Sequence, residues 1–223
     1  IEIGMEFKKS CKKNNISYVF KASFDKANRS SLDSYRGPGL KKGLEMLKVI
    51  KNILKVPILT DIHEIYQASE AAKVCDMLQL PAFLARQTDL IQALANTGKT
   101  INIKKPQFLA PEQIKFIVQK FSKFGCEDVV ICERGSMYGY NQQIVDIIGL
   151  QVIKEQTNKP VCVDITHSLQ FRNEGSLASS GRRKYALNLA KAVTSTSIDA
   201  LFVEAHQNPD FAKCDGLSLI HIS

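Results

Sequence analysis

No apolar run in this 223-residue chain approaches the roughly 20 residues needed to cross a bilayer, which argues against a membrane-spanning helix. No secretory signal is visible at the start, where residue 1 is Ile. The six cysteines, Cys11, Cys75, Cys126, Cys132, Cys162 and Cys214, include no C-x-x-C pair, so a structural zinc site is not expected. Cys132 and Cys162 lie inside apolar strand patterns and read as core thiols, as in a reduced, cytoplasmic protein. No acidic run balances the 30 Lys and Arg, which leave a net charge of +8. Clustered positive charge would point to nucleic acid, but these residues are scattered over many elements. Lys48, Lys51 and Lys55 share one side of a helix and read as its solvated face.

What remains is ordinary globular composition, 44% apolar and 23% charged, in a length that suits one domain with a large core. Hydrophobic periodicity places the tail of a helix at Ile1–Asn14, helices at Gly37–Leu54, Ile65–Val74, Thr88–Asn96, Pro111–Phe124 and Gly181–Thr194, and mostly helix over Gln142–Gln156. Strands fall at Tyr18–Ser23, Val56–Asp61, Met77–Leu80, Thr100–Lys104, Asp128–Cys132, Pro160–Asp164 and Ala200–Val203. Strict alternation, with several strands continuously apolar, predicts a parallel sheet covered by helices. An α/β fold of the (β/α)₈ barrel type is the first reading, and a doubly wound open sheet the second. The barrel is favoured because each strand ends in a polar or charged residue: Lys21, Asp61, Gln79, Lys104, Glu133, Asp164 and Glu204. Seven strands are present. The chain opens on a helix and closes soon after a strand, so the first strand and last helix of a complete barrel are expected to be missing.

Around Lys21 the chemistry becomes specific. Lys21, Lys26 and Arg29 gather with Asn28 and the hydroxyls of Ser23, Ser30 and Ser31 at one strand end. Charge-assisted donors of this kind suit a phosphorylated or carboxylated ligand. Composition alone leaves a solvated basic loop equally open.

The words of the sequence go further. K-A-S-F-D-K-A-N-R-S-S at Lys21–Ser31 resembles the signature loop of the 3-deoxy-D-manno-octulosonate 8-phosphate synthase family. P-A-F-L-A-R-Q-T-D-L at Pro81–Leu90, I-K-K-P-Q-F at Ile103–Phe108, C-E-R-G at Cys132–Gly135, D-I-T-H-S at Asp164–Ser168, F-V-E-A-H at Phe202–His206 and K-C-D-G at Lys213–Gly216 follow in the family's order. The barrel domain is read as 1–216. Leu217–Ser223 departs from the family, resembles a translated sequencing adapter, and is expected outside the fold.

The resemblance implies a transferase that joins phosphoenolpyruvate to D-arabinose 5-phosphate, releasing phosphate, in lipopolysaccharide synthesis. It implies phosphoenolpyruvate ligands at Lys21, Lys26, Gln79, Ala82, Lys104 and Arg134, and sugar-phosphate contacts at Asn28, Arg29 and Ser30. In the family the arginine matching Arg29 reaches a neighbouring subunit, so a homo-oligomer, by resemblance a tetramer, is expected. His63 and Asp61 are expected in the pocket. Lys105, of opposite strand parity to Lys104, is expected to face the helices.

His167, Glu204 and Asp215 match the group around the attacking water. Some members bind a divalent metal there with an added cysteine, and others carry asparagine and need none. Cys214-Asp215-Gly216 accompanies the metal-free form, so no cofactor is expected, with a metal at His167, Glu204 and Asp215 as the alternative. Other readings are a related synthase using erythrose 4-phosphate or a mannosamine, and a non-catalytic barrel that binds RNA or a sugar phosphate. Asn28-Arg29-Ser30-Ser31, in place of the Lys-Pro-Arg-Thr-Ser of the aromatic-pathway synthases, favours arabinose over erythrose phosphate.

Overall fold

Strand β4 (Thr100–Lys104) carries the principle of the fold in five residues. Ile101 and Ile103 are fully buried in one apolar cluster with Leu90, Leu94 and Ile117 of neighbouring helices. Asn102 and Lys104 alternate with them and face the other side of the sheet. Burial of each such Ile or Leu contributes about 1.5–3 kcal/mol, which fixes which side meets the helices.

The computed structural model describes residues 1–29, 31–138, 142–171, 180–212 and 219–221. The remaining strands of the main sheet are β1 (Phe20–Lys21), β2 (Ile58–Asp61), β3 (Met77–Leu80), β5 (Val129–Glu133), β6 (Val161–Asp164) and β7 (Ala200–Phe202). All seven run parallel in sequential order. Helix α1 (Glu2–Lys13) precedes β1. Helices α2 (Leu40–Leu54), α3 (Ile65–Ala72), α4 (Thr88–Ala95), α5 (Ile114–Lys123), α6 (Ile147–Thr157) and α7 (Ala186–Thr194) fall between successive strands. Sequential parallel order with a helix in each crossover is the wall of a (β/α)₈ barrel, here incomplete, with seven strands among the described residues. Among the described residues no strand joins β1 to β7, so the opening lies where the missing first strand was expected.

Register aligns the inward residues. Asp61 pairs with Gln79, Gln79 with Asn102, Lys104 with Cys132, Cys132 with Cys162, and Asp164 with Phe202. Polar groups therefore collect on one face at the C-terminal strand ends, while the apolar face lies under the helices.

Several boundaries differ from the sequence reading. Strand Tyr18–Ser23 is two residues long, because the chain leaves the ladder to turn Phe24 into the core, where it is buried. Gln143–Ile144 is not helical; it pairs antiparallel with Ser136–Met137. Helix α6 starts after Asp146, whose carboxylate accepts the Gly149 N–H at 2.9 Å and stops the helix from extending backwards. The helix expected from Gly181 begins at Ala186, after a 3₁₀ turn at Arg183–Tyr185. Lys51, expected on a solvated face, reaches Asp76 at 2.6 Å and the Val74 carbonyl at 3.0 Å. In the tail, Leu219 is buried and Ile220–His221 pairs with Ala205–His206; Leu217, Ser218, Ile222 and Ser223 lie outside the described residues. Among the described residues no helix is long and apolar enough to cross a membrane.

Candidate active site

The loop after β1 is held by Phe24. A side chain at Gly37, where φ is +126°, would put a Cβ 2.5 Å from the Phe24 carbonyl oxygen, so only glycine fits this close approach. That oxygen accepts the Gly39 N–H at 3.0 Å. Asp25 is taken by Arg36, at 2.8 and 2.5 Å, and belongs to the loop's framework. Lys21 and Lys26 are thereby fixed on the site side. Lys21 Nζ donates to Ser23 Oγ at 2.7 Å and stands 3.3 Å from Asp61 Oδ1. Asp61 Oδ2 stands 3.0 Å from His63 Nε2. Burial opposes the charge on Asp61, but the Lys21 ammonium and His63 outweigh it and hold the carboxyl well below the usual range.

Across the sheet, Asp164 is fully buried and organises a second group. Its Oδ1 accepts from Thr166 N at 3.0 Å, Thr166 Oγ1 at 2.8 Å and His167 N at 2.9 Å. Its Oδ2 lies 2.5 Å from Lys104 Nζ and 2.7 Å from His167 Nδ1. Burial works against this charge too, yet His167 and Lys104 hold Asp164 well below the ordinary carboxylate value. Burial would likewise lower Lys104, but Asp164 more than compensates, and the ammonium is raised. The Lys104 ammonium also sits 3.4 Å from the centre of the Phe202 ring.

The array continues. With Nδ1 committed to Asp164, His167 turns Nε2 toward Glu204 Oε2 at 3.2 Å. Glu204 Oε1 lies 3.7 Å from Lys26 Nζ, which ties the β1 loop to the far side of the site. Lys104, Asp164, His167, Glu204 and Lys26 thus form one continuous chain of polar contacts across the site, with an ammonium at each end, two carboxylates and an imidazole between them.

Other expected residues take separate places. Gln79 is buried and accepts the Asn102 amide at 2.9 Å. Ala82 opens the 3₁₀ turn after β3. Arg134 follows β5 and donates to Gln143 Oε1, and at 3.3 Å to Gln170 Oε1. Asn28 is exposed. Arg29 Nε and one terminal nitrogen are buried and have no hydrogen-bond partner among the described residues. Ser30, Cys214 and Asp215 lie outside the described residues. Sequence reasoning gave no site role to Asp164, which is the hub; a lone Asp ending an apolar strand in D-I-T-H-S was the signal. Asn102, Gln143 and Gln170 carried no motif of their own.

Chemically, this surface offers ammonium, guanidinium and amide donors beside an imidazole–carboxylate pair. It suits a ligand rich in anionic oxygens and a reaction that places a water. Among the described residues no group of three or more His, Cys, Asp or Glu side chains is placed to hold a metal ion.

The sequence model of the DAHP synthetase I family matches residues 1–223. A 2-dehydro-3-deoxyphosphooctonate aldolase of Chromobacterium violaceum is 51% identical over 219 residues, 98% of this chain and 78% of that protein. A protein of the same name from Prochlorococcus marinus is 50% identical over 224 residues, covering all of this chain and 79% of its own. Another, from Pseudomonas putida, is 52% identical over 216 residues, 96% of this chain and 77% of that protein.

Proposed function

The chain belongs to the DAHP synthetase I family, and from that membership we propose that it is a 2-dehydro-3-deoxyphosphooctonate aldolase, condensing phosphoenolpyruvate with D-arabinose 5-phosphate. The relatives' shared name supports the product class. The observation that carries the chemistry is the Lys104–Asp164–His167–Glu204–Lys26 array.

In this reading Lys104 and Arg134 hold the phosphate and carboxylate of phosphoenolpyruvate, with Lys21 and Lys26 completing the positive wall. Gln79 and the backbone at Ala82 line the same pocket. Carbon 3 of phosphoenolpyruvate bonds to the sugar aldehyde carbon, and the aldehyde oxygen takes up a proton. Water adds to carbon 2 and loses a proton. The hemiketal phosphate then breaks the bond between carbon 2 and its phosphate oxygen as the carbon 2 hydroxyl gives up its proton to the departing phosphate, leaving a ketone and inorganic phosphate. His167, fixed through Nδ1 by Asp164, and Glu204 are placed to orient that water. By resemblance Asp215, which lies outside the described residues, belongs to the same group.

Arg29 supports the sugar-phosphate assignment, since buried guanidinium donors with no partner among the described residues suit an anion. Asn28, Ser30 and His63, whose Nδ1 is also buried with no partner among the described residues, would meet the sugar and its phosphate. We place the enzyme in the cytoplasm as a homotetramer, with Arg29 serving a neighbouring subunit. Catalysis is read as metal-independent. Lys26 already supplies a cation beside Glu204, and Cys214-Asp215-Gly216 resembles the metal-free branch.

Phosphate release measured with phosphoenolpyruvate and each of arabinose 5-phosphate, erythrose 4-phosphate and N-acetylmannosamine tests the reading. Turnover with arabinose 5-phosphate is expected. Preference for either other aldehyde would move the enzyme to a sister activity.

A further inference from the structure

Directly behind Lys104 lies a second, completely buried lysine. Lys105 turns to the helix side of the sheet and is 0% exposed. Its Nζ donates to the Leu109 carbonyl at 2.9 Å, to Ser136 Oγ at 2.9 Å and to the Pro106 carbonyl at 3.3 Å. It also stands 3.4 Å from Oε2 of Glu133, which is itself buried. The other oxygen of Glu133 accepts the Gly135 N–H at 2.6 Å. Residues 133, 135 and 136 are therefore all held from behind, and the residue among them is Arg134. Gly135 has φ +92°, and a Cβ there would lie 2.8 Å from Gln143 Cβ, so the bare backbone lets Gln143 approach and accept from Arg134.

A buried ion pair is a poor way merely to fill space. Apolar side chains of similar volume would pack there without the desolvation cost. What charge adds is direction: an ammonium grips specific carbonyl, hydroxyl and carboxylate oxygens at fixed angles. These oxygens belong to the two segments that carry Lys104 and Arg134.

We propose that Lys105 is a positioning residue, which holds the Glu133–Ser136 segment through Glu133 and Ser136 so that Arg134 meets an anionic ligand in the orientation set by Gln143 and Gln170. The proposal rests on the reading of Lys104 and Arg134 as phosphoenolpyruvate ligands.

Two variants test it. Lys105→Met removes the ammonium at similar length, and Ser136→Ala removes only its link to the segment. Three quantities are measured on each and on the parent. They are the KM values for both substrates, the rate at which phenylglyoxal labels Arg134 relative to other arginines (by mass spectrometry), and the thermal midpoint. The KM for phosphoenolpyruvate should rise roughly tenfold or more in Lys105→Met and about fivefold in Ser136→Ala, following the loss of a charged and a single hydrogen bond respectively. The KM for arabinose 5-phosphate should stay within about twofold, and Arg134 should label several-fold faster. A role in stability alone would lower the midpoint and leave the two KM values in their parental ratio. If Lys105→Met does not fold, Ser136→Ala decides. A folded variant with unchanged phosphoenolpyruvate KM and unchanged Arg134 labelling overturns the proposal. A parent that turns over neither substrate would sink the functional reading, while the labelling rates would still judge the positioning role.

Discussion

Asp164→Asn is the sharpest test of the site's electrostatics. The carboxylate receives five donors: three on Oδ1 from Thr166 and His167, and two on Oδ2 from Lys104 and His167. An amide has one acceptor oxygen. If that oxygen replaces Oδ1, the NH₂ group points at an ammonium and an imidazole; if it replaces Oδ2, the NH₂ group meets two backbone N–H groups and a hydroxyl. Either way donors face donors, and Lys104 is left buried without its counter-charge. Breaking a buried pair from one side costs about 3–5 kcal/mol. For a chain of this length that lowers the thermal midpoint by roughly 6–20 °C. The pH dependence adds a signature. The folded-state value of Asp164 lies well below its ordinary 3.8, so its contribution is present above the unfolded value and is lost as pH falls through and below it. The gap between parent and variant should therefore narrow under acid. Denaturant unfolding of both proteins at neutral pH and near pH 3 measures this. A loss under about 1 kcal/mol, or a gap independent of pH, would refute the assignment of Asp164 as the charged hub.

Arg134→Ala should lower kcat/KM for phosphoenolpyruvate at least about 100-fold, the consequence of leaving an anionic ligand without its desolvated partner; an unchanged value removes Arg134 from the site. Lys104, whose folded value is raised above 10.5, contributes stability that is full below that pH and lost as pH rises through the folded value, so Lys104→Met should flatten the alkaline limb of the unfolding profile. Dialysis against a strong chelator should leave turnover intact. Activity abolished by that treatment and restored by Zn²⁺, Mn²⁺ or Fe²⁺ would overturn the metal-independent reading.

The strand–helix alternation was legible because it depends on local periodicity. Ile101 and Ile103 are apolar at every second position, and Ile114, Ile117, Val118 and Phe121 recur at helical spacing, wherever the rest of the chain lies. The short hairpin at Gln143–Ile144 was not legible, since its partner at Ser136–Met137 is held by register and not by composition. The identities at strand ends, together with seven ordered motifs, marked Lys21, Lys104, Arg134, His167 and Glu204 as site residues.

By itself, then, the sequence determined the parallel α/β architecture, the family and the kind of side chain each strand end presents. These follow from period, propensity and word order, which are properties of neighbouring residues. Only tertiary structure decided which charges meet. Lys104 and Asp164 are 60 positions apart and Lys21 and Asp61 are 40 apart. Their pairing follows from strand order and register, which bring distant strand ends to one rim. The same register sent Lys104 to the side of the sheet that carries Asp164 and Lys105 to the helix side, because successive side chains of a strand face opposite sides. One lysine consequently neutralises the buried hub of the site, while its neighbour, chemically identical in the sequence, braces the segment that carries Arg134.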